Sequence, residues 1–321
     1  MNKKYLVIFL IIMMMFTIPV FSHEDDHEDD HEDVNVKGTI NDAETYFAQG
    51  EFEKAGAIYK AINKKDPKNY EAQIGHSRCA ILKNHLGCAF RYSNKALELK
   101  PDNIEPKYNL AKIYYRVGKF DKALPYFKEL KNEVMITKLE GFYDLKPFEI
   151  SPESTTAEVK FISMEPVPII EISINGNKKE KFIIDTGVKE TLLDVSYAKE
   201  IRAKFSVNET GPLLSSKEVT FGHGILESIK IGNITVKNVP IHVVNFENVK
   251  LNKLTDEGVK GILGVSFLSN FIFTIDPINE LFILRYIDSQ EEFKTFNEAI
   301  EKSNAKIAPF YLTLENEVIS K

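Results

Sequence analysis

The stretch "KFIIDTGVKETLLD", residues 181–194, sets three consecutive apolar residues, Phe182, Ile183 and Ile184, directly before Asp185, Thr186 and Gly187. An apolar run that breaks into turn-tolerant residues is how many buried strands end. Asp185 therefore reads either as a catalytic carboxylate set on a rigid strand or as a turn residue, and the flanking sequence has to decide. Asp194 closes the stretch just ahead of "VSYAKEIRA", a short helical pattern, where an aspartate serves as N-cap. That use removes Asp194 as a catalyst and leaves Asp185.

Outward from this stretch the hydrophobic period is 2. "VPIIEISING" alternates, "NGNKK" makes a turn, and "KFIID" returns, so Asp185 falls at the C-terminal end of the second strand of a hairpin. "TFGHGILESIKIG", "ITVKNVPIHVVNF" and "FIFTIDPINELFILRY" follow as strands separated by Gly, Asn and Pro turns, with the non-strand segment "GILGVSFLSN" before the last.

In that order and near that spacing, these segments resemble the retropepsin-like aspartic proteases in their bacterial exported form, over residues 158–288. "GILGVSFLSNFIFTID" matches the family's second signature at Ile262, Leu263 and Gly264, a segment expected to thread under the strand that carries the aspartate. The resemblance implies peptide hydrolysis by a water held between two carboxylates. Like charges about 3 Å apart cannot both ionise, so the pair shares a proton, and one carboxylate acts as base while the other polarises the carbonyl. Asp185 is one member of the pair. Thr186 holds the loop through its hydroxyl, and Gly187 lets the partner backbone approach. Gly222, His223 and Gly224 are expected in a flexible flap over the substrate. The chain holds one Asp-Thr-Gly, so the second aspartate must come from another copy, which implies a C2 homodimer. No cofactor or metal is called for, and activity is expected in acid to mildly acid solution. Val188 stands where the family usually has Ala or Ser, and Ser266 where many relatives have Asp.

The first half has a different period. Ala55, Ala89 and Ala123 are spaced by 34 residues, as are Gly50, Asn84 and Gly118, and Ala43, Ser77 and Ala111. Pro67 and Pro101 keep the same step, with Met135 in the third copy. This resembles the tetratricopeptide repeat. Each unit is two helices around a short turn. The small residues allow close helix approach, Gly or Asn takes positive φ where the first helix stops, and Pro lies beyond the second. "AKIYYRVGKFDKALPYFKEL" supplies Leu110, Tyr114, Ala123 and Phe127 as core. Three such units make a stable stack whose concave face commonly holds a peptide. Cys79 and Cys88 flank Asn84 in the second unit, and the antiparallel helices leave both a disulfide and two free thiols open.

Residues 1–33 hold two of the 41 basic and eight of the 47 acidic residues, which leaves the rest balanced at 39 of each. Nothing in that balance suggests a nucleic-acid partner, and none is expected. Lys3 and Lys4, the apolar residues 5–21 and the small residues Val20 and Ser22 read as a secretory signal cleaved after Ser22. Export to the periplasm or medium is expected; the alternative is a membrane anchor, for which the segment is short. "HEDDHEDDHED", residues 23–33, reads as a disordered spacer, though His23, His27 and His31 recur every four residues among carboxylates.

The expected organisation is thus α plus β: signal peptide 1–22, acidic spacer 23–37, all-α repeat domain 38–140, all-β retropepsin-like domain 150–288, and a C-terminal helix and strand at 289–321. In the last part, Phe293, Phe296 and Ile300 predict an amphipathic helix. Ile307, Phe310, Leu312 and Leu314 predict a strand with no later partner in its own chain, which reads either as a dimer contact or as a cap on its own domain. Two functions compete: an exported, homodimeric aspartic endopeptidase whose repeats recruit a protein or peptide, and a non-catalytic binding scaffold in which the protease-like domain only dimerises.

Overall fold

The structure is a computed structural model and describes residues 11–14, 36–213, 217–247, 258–303, 310–312 and 318–320. Its helices begin at α1 (Ile40–Ala48), α2 (Phe52–Lys65), α3 (Tyr70–Leu82), α4 (Leu86–Leu99), α5 (Ile104–Arg116), α6 (Phe120–Glu129) and α7 (Glu133–Glu140). The turns inside the three helix pairs carry positive φ at Gly50 (75°), Asn84 (58°) and Gly118 (70°), the conformation the 34-residue step predicts there. Ala43, Ala55, Ser77, Ala89, Ala111 and Ala123 are all fully buried, so these positions are small because a neighbouring helix lies against them. At Ser77 the contact is polar, its Oγ lying 2.6 Å from Ser93 Oγ. Asn69, Asn103 and Asn132 accept backbone N–H bonds as N-caps of α3, α5 and α7. In the third pair Leu110 and Phe127 are core, but Tyr115 turns inward and Tyr114 is only half-buried, packing edge-on against Phe90.

Cys79 and Cys88 are free thiols. They belong to different parts of the core: Cys79 packs with Ala43, Ala55 and Tyr59, and Cys88 against Ala89 and Ile113. Of the two alternatives left open by the sequence, a disulfide or two free thiols, the structure has the free thiols.

The strands are β1 (Ile11–Met14), β2 (Glu149–Pro152), β3 (Thr156–Ser163), β4 (Ile169–Ile174), β5 (Lys179–Ile184), β6 (Thr191–Asp194), β7 (Lys204–Leu213), β8 (Lys217–Ile231), β9 (Ile234–Val244), β10 (Gly261–Leu263), β11 (Ile272–Asp276), β12 (Leu281–Arg285), β13 (Phe310–Leu312) and β14 (Val318–Ser320). The short helices α8 (Val195–Glu200) and α9 (Val265–Leu268) and the longer α10 (Gln290–Lys302) complete the chain. β1 to β12 make one sheet in the order β1-β11-β12-β3-β4-β5-β10-β6-β9-β8-β7, with β2 on β9 and a further β4–β8 pairing. The β4–β5 hairpin turns through Asn175 and Gly176, both at positive φ, as the Asn-Gly pair predicts.

Contacts divide the described chain into two units. One holds α1–α7 with the β13–β14 hairpin, and the other holds β1–β12 with α8–α10. The helix expected after residue 289 is α10, capped by Ser289. The strand after it does have a partner in its own chain: β13 pairs antiparallel with β14, Tyr311 opposite Ile319. The sequence reading missed β14 because "ENEVISK" is too polar and short to stand out from a loop. Among the described residues no helix is long and apolar enough to cross a membrane, and no group of three His, Cys, Asp or Glu side chains could hold a metal. His23, His27 and His31 lie outside the described residues.

Candidate active site

Asp185 is placed by β5. Phe182, Ile183 and Ile184 are at most 4% exposed, because the sheet is covered on both faces at this point. A strand held this firmly delivers the next residue, Asp185, to a fixed position at the edge of the core. β10 lies beside β5, parallel to it, with Ile262 opposite Ile183 and Leu263 opposite Ile184. Its other side pairs antiparallel with β6, Ile262 opposite Leu192. The segment expected to thread under the aspartate strand is therefore inserted in the sheet, between the two strands that the Asp-Thr-Gly loop connects. β9 then pairs parallel with β6 and closes the arrangement.

This insertion grips the loop from both ends. The Asp185 amide donates to the Leu263 carbonyl at 3.2 Å. On the far side, the first amides of α9 reach back: Val265 N donates to Val188 O at 2.8 Å and Ser266 N to Lys189 O at 2.9 Å. Gly264 sits between these contacts. A Cβ there would lie 2.6 Å from the Val188 carbonyl oxygen and closer still to that of Glu190. Only glycine lets the two segments approach, which is the physical content of the second signature. Inside the loop, Gly187 N donates to Asp185 Oδ1 at 2.7 Å, fixing one oxygen of the carboxylate. Asp185 and Thr186 are half-buried and Gly187 is exposed, so the carboxylate stands at a surface.

Val188 points the other way. It is 6% exposed and packs with Ile169, Ile183, Leu192, Val244, Phe246 and Ile262. The larger side chain at this position fills core beneath the loop. Ser266 is buried in α9. Asp194 is an N-cap: its Oδ1 accepts from Ser196 N and Tyr197 N, and its Oδ2 accepts from Phe246 N. Burial, with Glu180 and Glu200 nearby, pushes the Tyr197 hydroxyl in α8 up to about 12, so it stays protonated in neutral solution.

Gly222, His223 and Gly224 are not at a hairpin tip. They lie within β8 and pair on one side with Val207, Ser206 and Phe205 of β7, and on the other with Val243, His242 and Ile241 of β9. Glycine at 224 is required because a Cβ would come within 2.5 Å of the Lys204 carbonyl. These glycines therefore allow close strand packing within the β7–β8 hairpin, where the sequence places the flap. The turn of the long β7–β8 hairpin falls at 214–216, outside the described residues. His223 is buried, its ring 4.5 Å from that of His242 in edge-to-face contact. His242, Val265 and the amide of Ser266 were not singled out from the sequence. Only strand pairing reveals them, since nothing local distinguishes them.

Residues 170–267 match the aspartyl protease family. The C-terminal half carries an aspartyl protease-like domain. The α1–α7 array is consistent with helical repeats. A retropepsin-like aspartic protease from Rickettsia conorii is 26% identical, covers 43% of this chain and 96% of its own, and superposes with a TM-score of 0.32. The retroviral protease-like domain of Ddi1 from Leishmania major is 12% identical over 43% of this chain and 99% of its own, with a TM-score of 0.26. Among curated proteins, cellulose synthase operon protein C from Pseudomonas fluorescens is 36% identical over 81 residues, 25% of this chain. A CTR9 homolog from Arabidopsis thaliana is 33% identical over 211 residues, 59% of this chain. The chain spans 6% and 19% of the lengths of those two relatives.

Proposed function

We propose that this protein is an exported aspartic endopeptidase that works as a homodimer, each copy contributing Asp185. The observation that carries this reading is the grip on the Asp-Thr-Gly loop. Asp185 follows a fully buried strand, its amide is held by Leu263, its Oδ1 is held by Gly187 N, and the loop beyond it is tied down by α9. The bond from Gly187 N is one that an ordinary Asx turn also makes, but the tie to Leu263 and the anchoring by α9 go beyond a turn and give the fixed position that a group meeting a symmetry mate needs. In the dimer one carboxylate takes a proton from the shared water as it attacks the peptide carbonyl. The other gives its proton to the carbonyl oxygen, and the tetrahedral intermediate collapses with protonation of the leaving amine. The concave face of the repeats recruits the protein or peptide to be cut, in keeping with the usual use of such stacks. The composition of residues 1–22 supports export.

The test is peptide-library cleavage by wild type and Asp185→Asn. The substitution keeps size and removes the proton-transferring group, so cleavage should fall by about a thousandfold or more with the circular dichroism unchanged. Undiminished cleavage by the variant removes Asp185 from the reaction. Binding of peptide by both proteins with cleavage by neither supports the scaffold function instead.

A further inference from the structure

The last strands of the chain do not stay with the sheet. Residues 144–303 belong to the β unit, while β13 and β14 belong with α1–α7, and β13 lies against α3. α3 also has α1, α2, α4 and α5 packed on it. Of its 13 residues ten are buried, Arg78 and Leu82 are half-buried, and Glu71 is exposed. These three stand at i, i+7 and i+11, so the helix shows only one narrow stripe. A two-stranded hairpin is marginal in water by itself, and this one has three residues to a strand, so it draws its stability from what it rests on. The helix that leads to it holds it lightly: none of the described side chains of α10 is fully buried, and Phe293, Phe296 and Ile300 are half-buried.

The charges on α3 are taken up inside the array. Lys100 Nζ donates to Glu71 Oε1 at 3.0 Å. Arg78 donates to Glu44 Oε1, its Nε lies 4.0 Å from Glu105 Oε1, and its guanidinium sits 4.7 Å from the centre of the Phe47 ring. Glu44 accepts from the Tyr59 hydroxyl as well, at 2.6 Å. A charged group on a ligand would have to displace one of these pairs and would gain only the difference. What α3 offers a ligand is therefore mainly apolar surface. The segments "FYL" and "VIS" of β13 and β14 are an apolar strand pair suited to it. We propose that β13–β14 is a tethered ligand of the repeats: it occupies the α3 face in the resting chain, and the partner that the repeats take is an extended, apolar segment of like sequence that displaces it. This rests on the reading of the repeats as a peptide-recruiting array and is independent of the peptidase chemistry. Recruitment is then selective, because a peptide is held only if it outcompetes the chain's own end.

The experiment uses the full chain with a protease site inserted between Ser303 and Asn304, cut after folding, with the released end removed by gel filtration. The probe is a fluorescein-labelled peptide of residues 304–321, and a scrambled peptide of the same composition is the control. A second form carries a benzophenone amino acid in place of Tyr311 and is left uncut. By anisotropy the cut chain should bind the probe saturably and ignore the scrambled peptide. The uncut chain should bind it about a hundredfold more weakly, which is what a tethered competitor at an effective concentration of about 1 mM does to a peptide with a Kd of about 10 µM. On illumination the benzophenone should attach to α3, and an excess of unlabelled 304–321 peptide should suppress that product. Equal affinity of the cut and uncut chains overturns the proposal, as does a cut chain with unchanged helical circular dichroism that does not bind the probe. A crosslink outside α3, or one that the peptide cannot suppress, overturns it without need of the cut chain. Cleavage of library peptides is followed in the same samples. Probe binding without cleavage keeps the α3 assignment and removes the peptidase reading, and cleavage without probe binding does the reverse, so the two failures are distinct.

Discussion

The two halves of this molecule are held together in opposite ways. In α1–α7 each helix packs on its neighbour in sequence, and the same small residues, caps and positive-φ turns recur every 34 residues. In the sheet the decisive contact joins β10 to β5 and β6, strands that lie far from it in the chain. The helical half is a sum of similar local terms, so a defect stays near where it is made. The β half depends on one insertion that fixes the core and the candidate site together, so a defect there reaches both.

Three substitutions or measurements bear on that contrast. Gly264→Val should be the most damaging. Its side chain would overlap the Val188 and Glu190 carbonyls, which are main chain and cannot rotate away. The cost exceeds the about 1–3 kcal/mol of ordinary overpacking. The near-ultraviolet signal of the β unit and all cleavage should be lost, while the helical transition by far-ultraviolet circular dichroism persists. Coincident loss of both signals would show that the halves fold as one.

Phe127→Ala should be milder in reach. Phe127 is fully buried in α6, and the truncation should cost about 3–5 kcal/mol. Hydrogen exchange should quicken in α5 to α7 and leave α1, α2 and the sheet protected. Uniform loss of protection across α1–α7 would make the repeats a single cooperative block.

The smallest effect concerns the thiols. Burial pushes the Cys79 thiol up to about 12, so at about pH 9, where an ordinary thiol is largely ionised, Cys79 remains protonated. Iodoacetamide should label it much more slowly than Cys88 in the folded protein and equally fast in denaturant. Because the folded value is raised, the sign of the linked effect is a loss of stability as pH rises above the ordinary thiol range. Equal native labelling of the two would mean that α3 opens locally.

The contrast between the halves also explains what could be read without coordinates. The repeat register, the positive φ at Asn84, the Asn175–Gly176 turn, the N-cap role of Asp194 and the position of Asp185 after a buried strand all follow from local chemistry. Small residues, turn formers and apolar periods act within a few residues of where they stand, so the sequence carries them on its face. Tertiary structure alone decided the rest. It put β10 between β5 and β6, sent Val188 into the core, placed Gly222 and Gly224 in a central strand, kept Cys79 and Cys88 apart, gave β13 a partner in β14, and laid β1 on β11. Each of these depends on which distant segment arrives alongside, and backbone hydrogen bonds between strands carry almost no residue identity that would announce the pairing in advance.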